Sequence, residues 1–151
     1  MLPGQQLTAT VSHTGELKQL SFVKNPFETI IATRHGEHFD VSLQSKDIDT
    51  QVAHAVGVIH DSLFEDGLKA GMTEKLVLKM VDIFAWDVDF ALNLQDGDRF
   101  AVVFEKRLVD GKMVETGEIL SAEFVNNGKV YTAVRFVDAH GEVAYYTPEG
   151  N

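Results

Sequence analysis

Three glycine-containing turn dipeptides divide the last third of the sequence into apolar stretches of strand length. They are Asp110-Gly111, Asn127-Gly128 and His140-Gly141. Asn-Gly and Asp-Gly favour the positive backbone φ angles of the tight turns that join antiparallel strands. The spacing of these turns therefore predicts an antiparallel meander, with strands near residues 100–108, 114–125, 129–137 and 142–147.

The first sixty residues also have strand-like composition. β-branched and aromatic residues flank the turn His13-Thr14-Gly15, which predicts a hairpin of residues 7–11 with 17–23. A second predicted hairpin joins residues 27–33 to 38–43 around the turn 34–37, whose glycine can adopt a positive φ angle. We expect a further strand at residues 51–59.

Between residues 61 and 94 the hydrophobic period changes from two to about 3.6, which is typical of helices. Ser62 with Glu65 forms a capping-box pattern, and Thr73 is placed to begin the next helix. Asp87 predicts a third, short helix through residues 90–94. The fold class predicted from these elements is α+β, with an antiparallel meander sheet and two or three short helices packed on one of its faces.

Composition limits the possible partners. The net charge of -10 comes from 13 basic and 23 acidic side chains, and binding to a nucleic acid backbone would require clustered Lys and Arg instead. No run approaches the roughly 20 apolar residues of a membrane-spanning helix. We therefore predict no nucleic acid partner and no membrane span in this chain.

A metal site is the first chemistry to consider, because the chain contains six histidines. The best local set is His35, His38 and Asp40, but its spacing differs from the helical zinc motif, in which two histidines lie four residues apart. A polar hairpin tip explains these residues better. Asp98 and its acidic neighbours are likewise interpreted as turn and cap residues. No nucleophile elbow or phosphate-binding loop is present, so we predict no catalytic residue and no cofactor in this chain.

Four aromatic residues are candidates for an interaction surface: Trp86, Tyr131, Tyr145 and Tyr146. Trp86 lies in the apolar run 83–90 and is interpreted first as a core anchor at a helix junction. Tyrosines in a meander are ordinarily half-buried partners across strands. Binding of sugar rings or of another protein is the alternative for all four.

Three ordered blocks carry a family resemblance: IFAWDVDFALNLQDGDRFAVVFEK, GEILSAEFVNNGKVYTAVRF and YYTPEG. From about residue 48 to residue 150 the chain resembles the domain that precedes the catalytic domain in Gram-negative lysostaphin-type (LytM-like) zinc endopeptidases of peptidoglycan. Residues 1–24 resemble the tail of a LysM-like module, of the type found in opacity-associated protein A. The resemblance thus implies two parts, residues 1–24 and residues 25–151, the second being the α+β domain.

The resemblance also implies what the chain lacks. Family members hold catalytic zinc with an H-x-x-x-D element and an H-x-H element, and neither occurs here. The expectation is a fragment, or a homologue without the catalytic part, whose partner is the cognate zinc-bearing LytM-like domain in the parent protein. Its role would be regulatory or scaffolding: positioning the peptidase domain or occluding its groove.

Two other functions remain open. One is an autonomous module that binds peptidoglycan or envelope proteins, and the other is a metal-dependent enzyme built on His35, His38 and Asp40. The implied location is the periplasm or cell envelope, in an exported parent for which an inner-membrane anchor is one option.

Overall fold

In the computed structural model, which describes residues 6–150, strands dominate the chain. The described part contains nine strands and two helices, in the order β1 (Leu7–Val11), β2 (Leu17–Asn25), β3 (Glu28–His35), β4 (His38–Ser45), β5 (Asp49–Val58), α1 (Leu63–Lys69), α2 (Glu74–Phe84), β6 (Arg99–Val109), β7 (Lys112–Asn126), β8 (Lys129–Val137) and β9 (Val143–Tyr146).

The strands form two antiparallel sheets. One sheet has the order β1-β2-β3-β4, and the other has the order β5-β6-β7-β8-β9. Two compact units result: residues 1–49 with 108–115, and residues 50–107 with 116–151. The boundary predicted between residues 24 and 25 falls inside β2, and the assignment of residues 1–24 to a LysM-like module stays a prediction.

The predicted α+β class is wrong. Strands account for 54% of the described residues, and they make two sheets where one meander with helices on one face was expected. The first two hairpins occur where they were predicted, but they join into a sheet of their own because β2 pairs with β3. Turn signals locate individual hairpins, whereas the division into sheets depends on pairing between hairpins.

Two of the three helices were predicted correctly. The Ser62 hydroxyl accepts a hydrogen bond from the Glu65 N–H (3.1 Å), and the Thr73 hydroxyl accepts one from the Leu76 N–H (3.2 Å). The third predicted helix is wrong: residues 90–94 form turns and a bend. The Asp89 carboxylate accepts hydrogen bonds from the backbone of Ala91 and Leu92, which stabilises a turn in place of a helix.

The sheet of the first unit has one largely apolar face. Leu7, Phe22, Ile30 and Leu43 are neighbours across its four strands, and the same register aligns Ala9 with Leu20. Leu43 and Leu7 are about half exposed. This unit therefore keeps much apolar surface in contact with water.

The second unit contains the main core. Side chains of α2 and of the five-stranded sheet are buried together, and Leu76, Met80, Ile119 and Phe124 have no exposed surface at all. The Phe124 ring contacts two other aromatic rings, with a centroid distance of 6.2 Å to Phe84 and 5.2 Å to Phe90. No helix among residues 6–150 has both the length and the hydropathy needed to cross a membrane.

A buried carboxylate ties the end of β5 to α1. The Asp66 carboxylate accepts hydrogen bonds from the backbone N–H groups of His60 (2.7 Å) and Asp61 (3.0 Å) and pairs with Lys69. The hydrogen bond from His60 is the largest influence and lowers the pKa of Asp66 to about 2, although burial opposes the shift. Asp66 is therefore a charged acceptor throughout the physiological pH range.

Gly57 in β5 allows the ring of Phe100 to approach the backbone. A Cβ atom at this position would lie 2.6 Å from Cε1 of Phe100, which is itself buried. We predict that Gly57→Ala destabilises the chain by about 1–3 kcal/mol, because the ring must move within a packed core. Chemical denaturation measures this change. Val56→Ala, at an exposed neighbour, is the control and should have little effect, and equal effects of the two substitutions would contradict the packing argument.

Candidate functional site

A groove in the second unit brings together three of the four predicted interaction residues. Tyr131, Tyr145 and Tyr146 line a cavity of about 290 Å³, together with Ile83 and Phe84 at the end of α2. The remaining lining residues are Asp87, Val130, Thr132, Ala133, Thr147, Pro148 and Glu149. We call this cavity the tyrosine groove.

Hydrogen bonds hold α2 against β7 and so fix one wall of the groove. The Lys79 ammonium donates to the carbonyl of Gly117 (3.1 Å) and to the Glu118 carboxylate (2.8 Å). The Thr73 and Thr116 hydroxyls are 3.0 Å apart at the start of the same helix. The hydrogen bond from Lys79 is the main reason that the pKa of Glu118 is lowered, since burial alone would raise it.

Tyr145 forms the inner part of the groove and is held in place at both ends. Its hydroxyl donates a hydrogen bond to the carbonyl of Ile119 (2.8 Å), and its backbone lies opposite Arg135 in the register of β8 and β9. Burial, and to a lesser extent the charge of Glu118, raises the pKa of Tyr145. The phenol therefore stays neutral, and the side chain cannot swing away from Ile119 without loss of the hydrogen bond.

Tyr146 is the most exposed of the three tyrosines of the groove, and 41% of its surface is exposed. Its ring meets that of Phe136 edge to face, with centroids 6.1 Å apart and planes at 79°. Tyr146 also lines a second hollow of about 580 Å³, which includes Val134, Phe136 and Pro148. The segment from Tyr146 to Pro148 thus forms a wall shared by the tyrosine groove and this second hollow.

Trp86 is 98% exposed, so its interpretation as a core anchor is wrong. It lies two residues after Phe84, the last residue of α2, and its neighbour Asp87 lines the tyrosine groove. Val88 is the residue that enters the core here, with 3% exposure. The sequence alone could not show whether Trp86 or Val88 is the buried residue, because an apolar run at a helix end needs only one of its members as an anchor.

A buried carboxylate organises the loop that carries Trp86. Asp98 is 4% exposed and accepts hydrogen bonds from the Asn126 amide (2.7 Å), the Asn127 N–H (2.8 Å) and the Gln95 N–H (2.9 Å). The Asn126 amide also donates to the carbonyl of Asn93 (2.8 Å). The sequence indicated that Asp98 is a turn residue, but not that it connects this loop to the β7–β8 turn.

The hydrogen bonds of Asp98 make the stability of the chain pH-dependent. Burial alone would raise the pKa of Asp98, but the bonds from Asn127, Gln95 and Asn126 together lower it. A carboxylate with a lowered folded-state pKa contributes stability above its ordinary value of 3.8, and this contribution is lost as pH falls through the folded-state pKa.

We predict that Asp98→Asn lowers Tm at pH 6 by the loss of a charged acceptor, which costs about 1–3 kcal/mol. The difference in Tm between the variant and the unaltered chain should shrink when pH is lowered below 3.8. Thermal unfolding followed by circular dichroism across this pH range measures it. Asp82→Asn, on the exposed side of α2, is the control. A constant difference at all pH values would contradict the proposed role of the charge.

The tyrosine groove contains two carboxylates, Asp87 and Glu149, and no Lys or Arg among the residues that line it. The Lys129 ammonium lies 4.6 Å from the centroid of the Tyr131 ring. The groove therefore combines aromatic rings, hydroxyls and negative charge. Such a lining suits ligands that offer apolar faces and hydrogen-bond donors.

The predicted metal candidates lie together at the tip of the β3–β4 hairpin. His35 and His38 face each other across the turn, and His35 Nε2 lies 3.4 Å from Asp40 Oδ2. Within residues 6–150 no group of three His, Asp or Glu side chains is arranged to hold a metal ion. The structure places the three residues at one hairpin tip without a three-ligand geometry.

We predict that the chain, purified without chelators, contains far less than one zinc per molecule by elemental analysis. The exposed pair of His35 and Asp40 offers too few ligands for a site that normally takes four. Stoichiometric zinc that is lost in His35→Ala would contradict this prediction, and His140→Ala is the control for nonspecific loss.

The face of the five-stranded sheet that points away from the main core carries several exposed apolar side chains. We call it the outer sheet face and define it by Val56 and Val58 of β5, Val125 of β7, and Val130, Val134 and Phe136 of β8. Val56, Val130 and Phe136 are each more than half exposed. Arg99 and Glu123 lie among these residues, so the exposed apolar side chains form a mixed surface. Exposed apolar side chains grouped in this way make the face a candidate interaction surface.

Comparison with known proteins defines the family. Residues 47–151 match the Csd3 second domain. Among curated proteins, the chain is 28% identical over 134 residues to the peptidoglycan DD-endopeptidase ShyC of Vibrio cholerae. This match covers 89% of the chain and 31% of ShyC. It is 29% identical over 101 residues to ShyA of the same species, another peptidoglycan DD-endopeptidase, which covers 67% of the chain and 23% of ShyA.

Solved structures agree in fold. A zinc-containing peptidase from Vibrio cholerae superposes with a TM-score of 0.73 and 22% identity, over 100% of this chain and 45% of that one. Csd3 of Helicobacter pylori, from an orthorhombic crystal, gives a TM-score of 0.70 and 17% identity, over 93% of this chain and 38% of that one.

These findings confirm the resemblance to LytM-like endopeptidases: the chain is homologous to their N-terminal, non-catalytic region. It belongs to the Csd3 second domain family. It spans about a third or less of the length of the curated relatives it matches.

Proposed function

We propose that this chain is the regulatory domain of a peptidoglycan endopeptidase and that it positions the zinc-bearing peptidase domain of its parent protein or occludes the groove of that domain. The family match carries the proposal, because relatives that contain this domain include the peptidoglycan DD-endopeptidases ShyC and ShyA. Zinc belongs to the peptidase domain, where it activates a water molecule for attack on a peptide bond. The parent acts in the cell envelope, in the periplasm.

The outer sheet face is the surface through which we propose docking of the peptidase domain. Its exposed members are valine and phenylalanine side chains, and covering them removes apolar area from water. The opposite side of the same sheet already contributes to the main core and has no comparable free surface. Covering the outer sheet face would therefore contribute more binding free energy than covering the opposite face of the same sheet.

A binding experiment in trans tests the docking. The purified chain is titrated into the isolated peptidase domain of its parent protein, and both complex formation and cleavage of peptidoglycan are measured. We predict binding with a change in cleavage rate, and about tenfold or greater weakening of binding by Phe136→Asp, because a charge would be buried in an apolar contact.

Leu78→Asp is the matched control for this experiment. Leu78 lies on α2 and is 58% exposed, against 57% for Phe136. The control variant should bind as the unaltered chain does. Absence of binding and of any change in cleavage, or equal weakening by the two variants, would overturn the docking proposal.

The tyrosine groove favours a second function, an autonomous module that binds peptidoglycan or an envelope protein without a peptidase domain. The observation that favours it is that Tyr131, Tyr145 and Tyr146 line one cavity. Strong retention of the chain on purified sacculi, together with no effect on the peptidase domain, would favour this alternative over the regulatory role.

A further inference from the structure

Two large apolar side chains in the loop between α2 and β6 project into water. Trp86 is 98% exposed and Leu92 is 81% exposed, whereas the next most exposed large apolar side chain in the described part of the chain, Val41, reaches 69%. Tryptophan is ordinarily well buried, because its ring carries a large apolar area. A loop that keeps this ring in water therefore requires a physical explanation.

The positions beside Trp86 that reach the core are already occupied. Phe84 and Val88, two residues before and two residues after it, are 2% and 3% exposed. The Val88 N–H donates a hydrogen bond to the Phe84 carbonyl (2.8 Å), as in a helical turn. Residues four apart in such a turn share a face, and the residue midway between them lies on the other side. Trp86 can thus enter the core only if Phe84 or Val88 leaves it.

Leu92 is held outward in a similar way. Phe90 and Leu94, on either side of it, pack against the main core. The Asp89 carboxylate accepts a hydrogen bond from the Leu92 N–H (3.1 Å), and the carbonyl of Asn93 accepts one from a side chain of β7 (2.8 Å). The backbone around Leu92 is therefore fixed before any partner binds, and a preformed surface loses little conformational entropy on binding.

The charge around the two side chains is negative. Between Lys79 and Arg99 the sequence contains five aspartates and no Lys or Arg, and apart from the buried Asp98 all of them are exposed: Asp82, Asp87, Asp89 and Asp96. Asp96 is engaged with His60, whose Nδ1 lies 2.8 Å from its carboxylate. Asp87 directly follows Trp86, and Asp89 bonds to the Leu92 backbone. Both exposed apolar side chains thus have a carboxylate beside them.

This charge selects among the surfaces that could cover the two side chains. Carboxylates repel anionic lipid headgroups, phosphate backbones and the same loop of a second copy. They attract Lys and Arg, whose cations also bind the face of an indole ring. A partner that combines apolar and basic side chains therefore satisfies both features of the loop.

We infer that Trp86 and Leu92, with Asp87 and Asp89, form an interaction surface for a basic protein segment. The apolar side chains of that segment cover Trp86 and Leu92, and its Lys or Arg side chains pair with the two aspartates. Tryptophan is enriched among the residues that contribute most to protein–protein binding. We call this surface the acidic anchor. It shares no residue with the outer sheet face, so the inference does not depend on the docking of a peptidase domain.

Three tryptophan-free synthetic peptides of equal length test the apolar and the basic requirement separately. One contains leucine and lysine, the second leucine and glutamate, and the third serine and lysine. Trp86 is the one tryptophan of the sequence, so its emission reports directly on the acidic anchor. We expect saturable binding of the leucine-lysine peptide with a shift of the emission to shorter wavelength, and about tenfold weaker binding of the other two. Raising NaCl from about 0.05 M to about 0.5 M should weaken the binding.

Variants assign the binding to the acidic anchor. Trp86→Ala and Leu92→Ala should each weaken it by about fivefold or more in calorimetry. Asp87→Asn combined with Asp89→Asn should weaken it and reduce its salt dependence, and asparagine keeps the oxygen that accepts from the Leu92 N–H. Unchanged thermal unfolding verifies that these variants fold.

Leu78→Ala is the matched control, because Leu78 on α2 is 58% exposed and is followed by Lys79. It should leave binding unchanged. Absence of saturable binding, equal binding of the leucine-glutamate or serine-lysine peptide, or equal weakening by Leu78→Ala would overturn the inference. Two further outcomes would also overturn it, by assigning the surface to a membrane or to a second copy. They are an emission shift with phosphatidylcholine vesicles, and a dimer in sedimentation that Trp86→Ala abolishes.

Discussion

The buried ring of Phe124 is the contact on which the packing of the second unit depends, because it joins the sheet to α2 and to the loop after α2. It lies on β7, contacts Phe84 at the end of α2, and contacts Phe90 in the loop after that helix. One fully buried side chain thus fixes the sheet, the helix and the loop relative to one another. The walls of the tyrosine groove come from these same elements, so its shape depends on aromatic packing beneath it.

Local signals in the sequence were sufficient for most elements and insufficient for the architecture. The capping residues Ser62 and Thr73 and the turn at Asn127 were identified from short patterns, because their hydrogen bonds are made within a few residues. The separation into two sheets depends on pairings between distant strands, which no local pattern encodes. The missed turn at Asp89 has a different cause, because two local structures compete there. The Asp89 carboxylate accepts hydrogen bonds from the next backbone N–H groups and stabilises a turn where a helix was predicted.

The candidate site was predictable in its residue types but not in its geometry. Trp86 and the tyrosines were singled out because aromatic residues frequently form binding surfaces, but only the fold shows that the three tyrosines share a cavity. The role of Asp98 required knowledge of tertiary structure, because its partners Asn126 and Asn127 are about thirty residues away along the chain. His35, His38 and Asp40 are close in sequence and in space, and their case shows that proximity alone does not create a metal geometry.

The valine-rich outer sheet face has a consequence for the behaviour of the isolated chain at different ionic strengths. Copies of a molecule with a net charge of -10 repel one another when little salt is present. Added salt shortens the range of that repulsion to about 10 Å at 0.1 M and leaves hydrophobic attraction intact. At low ionic strength, charge repulsion therefore opposes self-association through Val56, Val130 and Phe136, and it opposes it less as salt is added. A partner domain that covers these side chains would make that repulsion unnecessary.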